Sequence, residues 1–413
     1  TDHLFEIQNG KLVAKVADPE AGPQLIFDTL LRSMAKNYSE YSMAVILSGS
    51  GTDGAIGARA LNDAGGMVLA QSPETAQFPG MPQSVILAKA ADMVADPETL
   101  AREVVRLARR PETQTPPPLV SRDEKAQLRM RTLENLLKRH AGFNIADYKQ
   151  ESVHRRLERR MGLCHLPVFD EYLAYLQNNP AECENLAKDM LISVTSFFRD
   201  PEAFARLRET ILPGLVKECH SRQLRVWVPA CASGEEAYTI AILIAEAIAE
   251  HGDAGMTYKI FATDLDREAL QIAGQGVYPS SVAADIPPHL LDKYFTLEGD
   301  TYQIRRSIRE NMIFAKHNIL KDPPFNRLDL VSCRNLLIYL QPFSQQRVLS
   351  ILNFALRMGG ALMLGLSEST GEITDNFGPV DPKNHIYFKK TPAASILPEA
   401  LPLAASSGLS TNY

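Results

Sequence analysis

Residues 224–239 read Leu-Arg-Val-Trp-Val-Pro-Ala-Cys-Ala-Ser-Gly-Glu-Glu-Ala-Tyr-Thr, and this stretch constrains the fold more than any other. An apolar strand runs into a loop of small residues, and two carboxylates then open a long apolar helix. The pattern is the strand–turn–helix of a nucleotide-binding sheet. A loop that cradles pyrophosphate presents bare N–H groups at a helix N-terminus. Glu235 and Glu236 would repel a phosphate there and attract a cation. The sequence therefore points to a nucleoside with a positive, amine-bearing tail. S-adenosylmethionine fits, with its adenosine, sulfonium and α-amino group and no phosphate.

The chain of 413 residues has the length of roughly two to four domains. Its net charge of −6 argues against a general nucleic-acid binder. No apolar run approaches the roughly 20 residues of a membrane span. The longest, Thr239 to Ala249, is interrupted by Glu246 and reads as a buried helix, so membrane insertion is not expected. The five cysteines are an odd number, widely spaced, without C-x-x-C or zinc spacing. They suggest free thiols in a reducing cytoplasm and no structural metal. No signal peptide is visible. The chain begins at Thr1 without a Met, which suggests a piece of a longer protein.

Residues 1–108 read as one α/β unit. Strand Met43 to Leu47 runs into Ser48-Gly-Ser-Gly-Thr-Asp53-Gly54, and helix Ala55 to Ala64 leads through Gly65-Gly66 to strand Met67 to Gln71. A helix from Pro97 follows, with Pro in its first turn. Residues 109–121 hold consecutive prolines and are expected to form an extended linker. Residues 122–190 read as a helical domain, basic in its first part. From 191 to 392 strands and helices alternate, and the strands Arg225–Val228, Lys259–Thr263, Ile313–Lys316, Leu328–Ser332 and Ala361–Leu366 predict a parallel, doubly wound α/β sheet. Residues 277–311 break that rhythm and predict a small antiparallel insertion. Residues 393–413, rich in Ala, Pro and Ser, are expected to form a disordered tail.

In an open α/β sheet, ligands sit beyond the C-terminal ends of the strands. The first strand end supplies Ser233, Gly234 and Glu235. The second ends in Asp264, placed to accept from ribose hydroxyls. His317-Asn318-Ile319 closes the third, and Arg334-Asn335 through Tyr339 follows the fourth. Each residue has a plainer reading. The glutamates suit a helix dipole, Asp264 a helix cap, Asn318 a turn and Arg334 a buried ion pair. Their order at four successive strand ends favours a nucleoside site.

Val226-Trp-Val-Pro-Ala-Cys-Ala-Ser-Gly-Glu-Glu-Ala-Tyr, Ala262-Thr-Asp-Leu-Asp, Cys333-Arg-Asn-Leu-Leu-Ile-Tyr and Val194-Thr-Ser-Phe-Phe-Arg-Asp200 resemble the signatures of CheR-type chemotaxis protein-glutamate methyltransferases. The resemblance covers about residues 124 to 390. It implies that Ser193, Thr195, Arg199, Glu235, Asp264, Asn318, Ile319, Arg334 and Asn335 contact S-adenosylmethionine, with S-adenosylhomocysteine as product. The family often has Asn where this chain has the shorter Ser193. Glu235 would hold the cofactor's amino group, leaving Glu236 as a helix cap. Arg199 and Tyr339 would stand near the transferred methyl. The competing reading of Arg199 is an ion pair with Asp200, and that of Phe197 and Phe198 is core packing. The resemblance also implies that Arg155, Arg156, Arg159 and Arg160, at i, i+4 spacing on one helix, face the acidic helices of chemoreceptors. The turn Leu297 to Thr301 is short for docking a tethering peptide of the receptor.

Ile46-Leu-Ser-Gly-Ser-Gly-Thr-Asp-Gly54 and Phe78-Pro-Gly-Met-Pro82 resemble the C-terminal part of a CheB-type methylesterase. Asp53 matches the acid of that family's Ser/His/Asp triad. No Gly-Ala-Ser-Thr-Gly-Gly segment occurs in this chain, and His3 lies beyond where the base belongs. A triad acid alone does no chemistry, so no esterase activity is expected, and the sheet is expected to have an open edge. The resemblance as a whole is to a CheB–CheR fusion that methylates receptor glutamates. The rivals are a dehydrogenase, which lacks G-x-G-x-x-G here, and a non-catalytic scaffold that binds cofactor or receptor.

Overall fold

The computed structural model describes residues 3–8, 10–16, 25–38, 41–108, 123–191, 195–252 and 255–390. Ser193, the expected linker and the expected tail lie outside them.

The chain opens with a hairpin, β1 (His3–Gln8) and β2 (Lys11–Val16), followed by α1 (Ile26–Tyr38). Strands β3 (Met43–Ile46), β4 (Met67–Gln71) and β5 (Met93–Ala95) form a parallel sheet in the order β3-β4-β5. Helices α2 (Ala55–Asp63), α3 (Gly80–Leu87) and α4 (Pro97–Ala108) connect and follow these strands. Helix α2 buries Ala55, Ala58 and Leu61, a helical i, i+3, i+6 stripe against Ile46, Val68 and Val85. It leaves through Gly65 at φ 99°, a conformation that favours glycine. Among the described residues β3 pairs on one side only, with β4. Val45 and Leu47 at this strand are exposed.

Helices α5 (Glu124–Ala141), α6 (Gln150–Leu163), α7 (Phe169–Asn178) and α8 (Pro180–Met190) make the helical unit. Asp123 caps α5 by accepting from Lys125 N–H at 3.2 Å, and Gly142 ends it at φ 68°. In α6, Val153, Leu157 and Met161 repeat every four residues and enter the helical core.

Helices α9 (Pro201–Arg206) and α10 (Leu212–Lys217) lead into the large sheet. Its chain order runs β6 (Gln223–Pro229), α11 (Glu235–His251), β7 (Thr257–Asp264) and α12 (Arg267–Gln275). An insertion follows, comprising β8 (Val277–Pro279), α13 (Pro288–Tyr294), β9 (Phe295–Glu298), β10 (Thr301–Ile304) and α14 (Arg306–Arg309). Then come β11 (Met312–Lys316), β12 (Leu328–Cys333), α15 (Pro342–Ala355), β13 (Leu356–Leu364), β14 (Phe377–Asp381) and β15 (Ile386–Lys389). The insertion is the expected antiparallel sheet, ordered β8-β10-β9.

The large sheet is ordered β11-β7-β6-β12-β13-β15-β14 among the described residues. The first five strands are parallel, in registers such as Val226 with Ile260 and Val331 with Leu362. The expectation of a parallel sheet needs one correction: β15 runs antiparallel to β13, and β14 antiparallel to β15. These strands are short, and β14 carries Gly378 and Pro379, so they lack the apolar run that marks the central strands. Every residue of β12 is buried, as a strand covered on both faces requires. Strand β6 lies between β7 and β12, so the chain leaves it in opposite directions. A crevice opens at such a switch point.

Candidate functional site

The loop after β6 is shaped by backbone strain. Ala230 and Ala232 take positive φ of 55° and 47°, which costs a non-glycine residue of order 1–3 kcal/mol. Gly234 sits at φ 94°, and a Cβ there would lie 2.8 Å from the Ala273 Cβ. The neighbouring strand end stabilises this shape. Ala232 N–H donates to Asp264 Oδ2 at 2.8 Å, and Cys231 N–H to the Thr263 carbonyl at 3.0 Å.

A cleft of about 980 Å³, mouth included, lies above these ends. Thr195, Arg199, Asp264, Asn318, Ile319, Arg334, Asn335 and Tyr339 all line it, so the structure brings together most of the residues singled out in the sequence. Asp264 accepts from Asp266 N–H at 2.9 Å through its other oxygen. Burial pushes its carboxyl above the usual range, and the amide donors pull it back. Each oxygen keeps a further lone pair for a ligand hydroxyl. Asn318 Oδ1 accepts from Leu320 N–H at 3.0 Å, and its own N–H donates to Asp322 at 2.7 Å. That turn fixes the side chain and leaves its NH₂ for a ligand.

Glu236, and not the expected Glu235, faces the cleft beyond the strand ends. Glu236 lines this cleft, accepting from Ser332 Oγ at 2.7 Å and from Arg334 at 3.1 Å. Glu235 accepts from Ser233 Oγ at 2.9 and 2.7 Å and lines a different cleft. Burial raises its carboxyl pKa, opposed first by the charge of Arg59. Successive helical residues point about 100° apart, so only one of the pair can face the crevice.

Arg334 also requires a correction. Its side chain is 0% exposed. It donates to Glu236, to the Arg199 carbonyl at 2.9 Å and to Asp200 at 2.6 Å, and its guanidinium lies over the Phe204 ring at 4.9 Å. The plainer reading, a buried ion pair, is the one these contacts describe. Arg334 latches the Phe197–Asp200 turn onto the sheet, which places Arg199 at the rim of the cleft.

Glu368, which sequence reasoning missed, shapes the turn after β12. Its carboxylate takes the N–H groups of Gly365 at 2.8 Å, Asn335 at 2.9 Å, Leu337 at 2.7 Å and Ile338 at 3.4 Å. Burial pushes its carboxyl pKa up and these donors oppose it. The signal available was a carboxylate four residues beyond the apolar β13. The turn it gathers holds Asn335 at φ 60° and delivers Tyr339. Burial raises the Tyr339 phenol's pKa, against the nearby charge of Arg199, so it stays protonated.

The arginines of α6 do not form the expected solvent-facing cationic surface. Arg156 is 6% and Arg159 9% exposed. Arg156 donates to the carbonyls of Asn62 and Asp63 at the end of α2. Arg159 bridges Asp92 of the N-terminal unit and Asp189 of α8, and Arg160 pairs with Glu182. Arg155 remains exposed. The N-terminal unit covers this helix face, and a charge pattern on one helix carries no record of that neighbour. Asp53 accepts from Phe27 N–H at 3.1 Å and Asp28 N–H at 2.9 Å, so it caps α1.

The chain matches known families along most of its length. Residues 193–386 match the family described as "CheR methyltransferase, SAM binding domain". Residues 129–191 match "CheR methyltransferase, all-alpha domain" and residues 2–104 "CheB methylesterase". The chain is 30% identical over 254 residues to the chemotaxis protein methyltransferase of Listeria monocytogenes, covering 62% of this chain and 94% of that one. It is 39% identical over 394 residues to an uncharacterized 104.1 kDa protein of Rhodobacter capsulatus, covering 90% of this chain. It spans only 41% of that relative's length. Among solved structures, the CheB methylesterase catalytic domain of Thermotoga maritima matches at 31% identity and a TM-score of 0.23, over 25% of this chain and 57% of that one.

Proposed function

The chain belongs to the family of chemotaxis protein methyltransferases, and we propose that it transfers a methyl group from S-adenosylmethionine to glutamate side chains of chemoreceptor-like proteins, forming methyl esters. One observation carries the reading: Asp264 and Glu236 line a single cleft at the switch point of the sheet, where a phosphate-binding protein would present cations or bare amides. That set of acceptors fits S-adenosylmethionine. Asp264 would accept from the ribose hydroxyls, and Glu236, held by Ser332 and Arg334, would face the amino group. Asn318 and Asn335 would bind polar edges, with Ile319 and Leu336 as apolar walls.

When bound, S-adenosylmethionine supplies an electrophilic methyl whose sulfur–carbon bond breaks with the electron pair left on sulfur. The acceptor carboxylate is already ionised at neutral pH, so no residue of this chain need act as a base. The chain's task is to align and desolvate an anion, which supplies on the order of 7–11 kcal/mol in favourable cases. Arg199 orients the carboxylate through its planar fork, and Tyr339, kept protonated, offers a hydrogen bond beside it. Arg155, exposed on α6, would meet acidic receptor helices from outside. The acceptor segments of such receptors imply a cytoplasmic location for this chain. No helix among the described residues is long and apolar enough to cross a membrane.

The test is labelled S-adenosylmethionine with chemoreceptor cytoplasmic fragments, followed by measurement of base-labile methyl esters. Asp264→Asn is expected to weaken cofactor binding by about 10- to 100-fold, the scale of one or two lost charge-assisted hydrogen bonds. Arg199→Ala is expected to lose most turnover and keep cofactor affinity within a few-fold. Absence of labelled ester with the wild-type chain would refute the reading.

A further inference from the structure

A second cleft lies between the N-terminal unit and the methyltransferase unit. It encloses about 2070 Å³, mouth included. Thr195 and Arg199 line both this cleft and the cofactor cleft, so the two meet at the arginine that would orient the acceptor. On one wall stand Ile56 and Ala60 of α2 and Leu87 of α3, and on the other Phe197, Tyr278 and Val282. The acidic groups on it are Asp63, Glu235, Asp285 and Asp300. Asp285 is paired with Arg32 at 3.0 and 2.9 Å, and Asp63 lies 3.8 Å from Arg59. The walls are pinned on either side of the opening. Arg32–Asp285 ties α1 to the insertion, and Lys89 reaches Glu268 of α12 at 2.6 Å. Arg159–Asp92 ties α6 to the N-terminal unit.

We propose that this cleft seats the methyl acceptor, so that the N-terminal unit builds one wall of the acceptor site. The inference rests on the methyltransferase reading above. Its occupant is a glutamate-bearing, amphipathic segment of the acceptor protein. Apolar side chains of that segment meet Ile56, Leu87 and Val282, and the reacting carboxylate reaches Arg199 at the junction. Continuity with the cofactor cleft is what selects this occupant. An acceptor arriving there stands across Arg199 from the cofactor, where an anion must approach the methyl.

Leu87 is 73% exposed and tolerates replacement without loss of the core. In the full chain, Leu87→Glu and Leu87→Lys are compared with Ala60→Trp, which fills the cleft. Two quantities are measured against a chemoreceptor cytoplasmic fragment: its Kd with S-adenosylhomocysteine present, and KM and kcat for methyl transfer. Leu87→Glu is expected to raise Kd and KM about fivefold over Leu87→Lys, as like charge does at a rim. Ala60→Trp is expected to raise both about tenfold through a clash, with S-adenosylhomocysteine affinity unchanged. A wild-type chain that methylates the fragment while all three variants match it in Kd and KM overturns the acceptor cleft alone. Faster turnover in every variant overturns it too, by making the N-terminal unit a shield. A wild-type chain that neither binds nor methylates the fragment overturns the methyltransferase reading with it.

Discussion

Two parallel sheets in this chain end in loops of similar make-up. After β3 the sequence is Ser48-Gly-Ser-Gly-Thr-Asp53-Gly54, and after β6 it is Ala230-Cys-Ala-Ser-Gly-Glu-Glu236. Both are small residues followed by carboxylates and a helix with a buried face. The loops nevertheless do different work. Strand β3 has one partner among the described residues, and Asp53 turns back to cap α1. Strand β6 has a partner on each side, and the ends of β7 and β12 bring Asp264 and Arg334 to the same place. At β6 the strands on both sides contribute to the cleft. The buried carboxylates follow the same division. Both oxygens of Asp264 hold amide donors, whereas Asp28 receives Gly57 N–H on one oxygen and buries the other without a partner.

The sharpest way to break this comparison is at Arg334. Arg334→Leu would leave Glu236 and Asp200 without their buried partner, at a cost on the order of 3–5 kcal/mol. Chemical denaturation should show the loss directly. If stability were intact and cofactor affinity alone fell, Arg334 would be a ligand contact and the latch would be wrong. Next in size is the unpaired oxygen of Asp28. Burial pushes its carboxyl up to about 6. The folded state therefore holds a proton that the unfolded chain has released. Stability from this group is complete below the ordinary carboxylate range and is lost as pH rises from about 4 to about 6, by at most about 3 kcal/mol. Asp28→Asn should flatten that slope in pH-dependent unfolding, and a slope of the opposite sign would show Asp28 to be a favourably held anion.

How far the sequence reveals this molecule depends on what each residue answers to. The run from Leu224 to Thr239 was legible because an apolar strand, a tight turn and a helix start each impose their own residue types. Asp264 and Asn318 were legible because they close predictable strands. Glu235 and Glu236 were not separable, since which of two adjacent helical residues faces the crevice depends on the helix's rotation against the sheet. Glu368 was hidden because its partners are backbone amides, which any sequence possesses. The α6 arginines misled for a third reason. Their spacing describes one helix, while their burial is decided by a unit that packs on it from elsewhere in the chain. The late strands β14 and β15 were missed because an edge hairpin needs no continuous apolar run.

The smallest effect expected is at Asp53. In the family that the N-terminal unit resembles, this position orients a histidine, and its loss would be felt in catalysis. Here it accepts two amides at the start of α1, and removal of such a cap costs about 1 kcal/mol. Asp53→Ala should therefore lower the midpoint of thermal unfolding slightly, while Asp53→Asn, which keeps an acceptor oxygen for only one of the two amides, should recover part of the loss. Neither variant should alter cofactor affinity, because Asp53 does not line the cofactor cleft. The informative reading is their effect on acceptor KM. Helix α1 carries Arg32, whose pairing with Asp285 holds one side of the interdomain cleft. A cap loss that loosened α1 would raise KM in step with the lost stability, and restoring one acceptor oxygen would bring both back by the same part. A KM shift in Asp53→Asn out of proportion to its lost stability would instead tie the carboxylate's charge to the acceptor, making the loop after β3 part of the site and ending its contrast with the loop after β6.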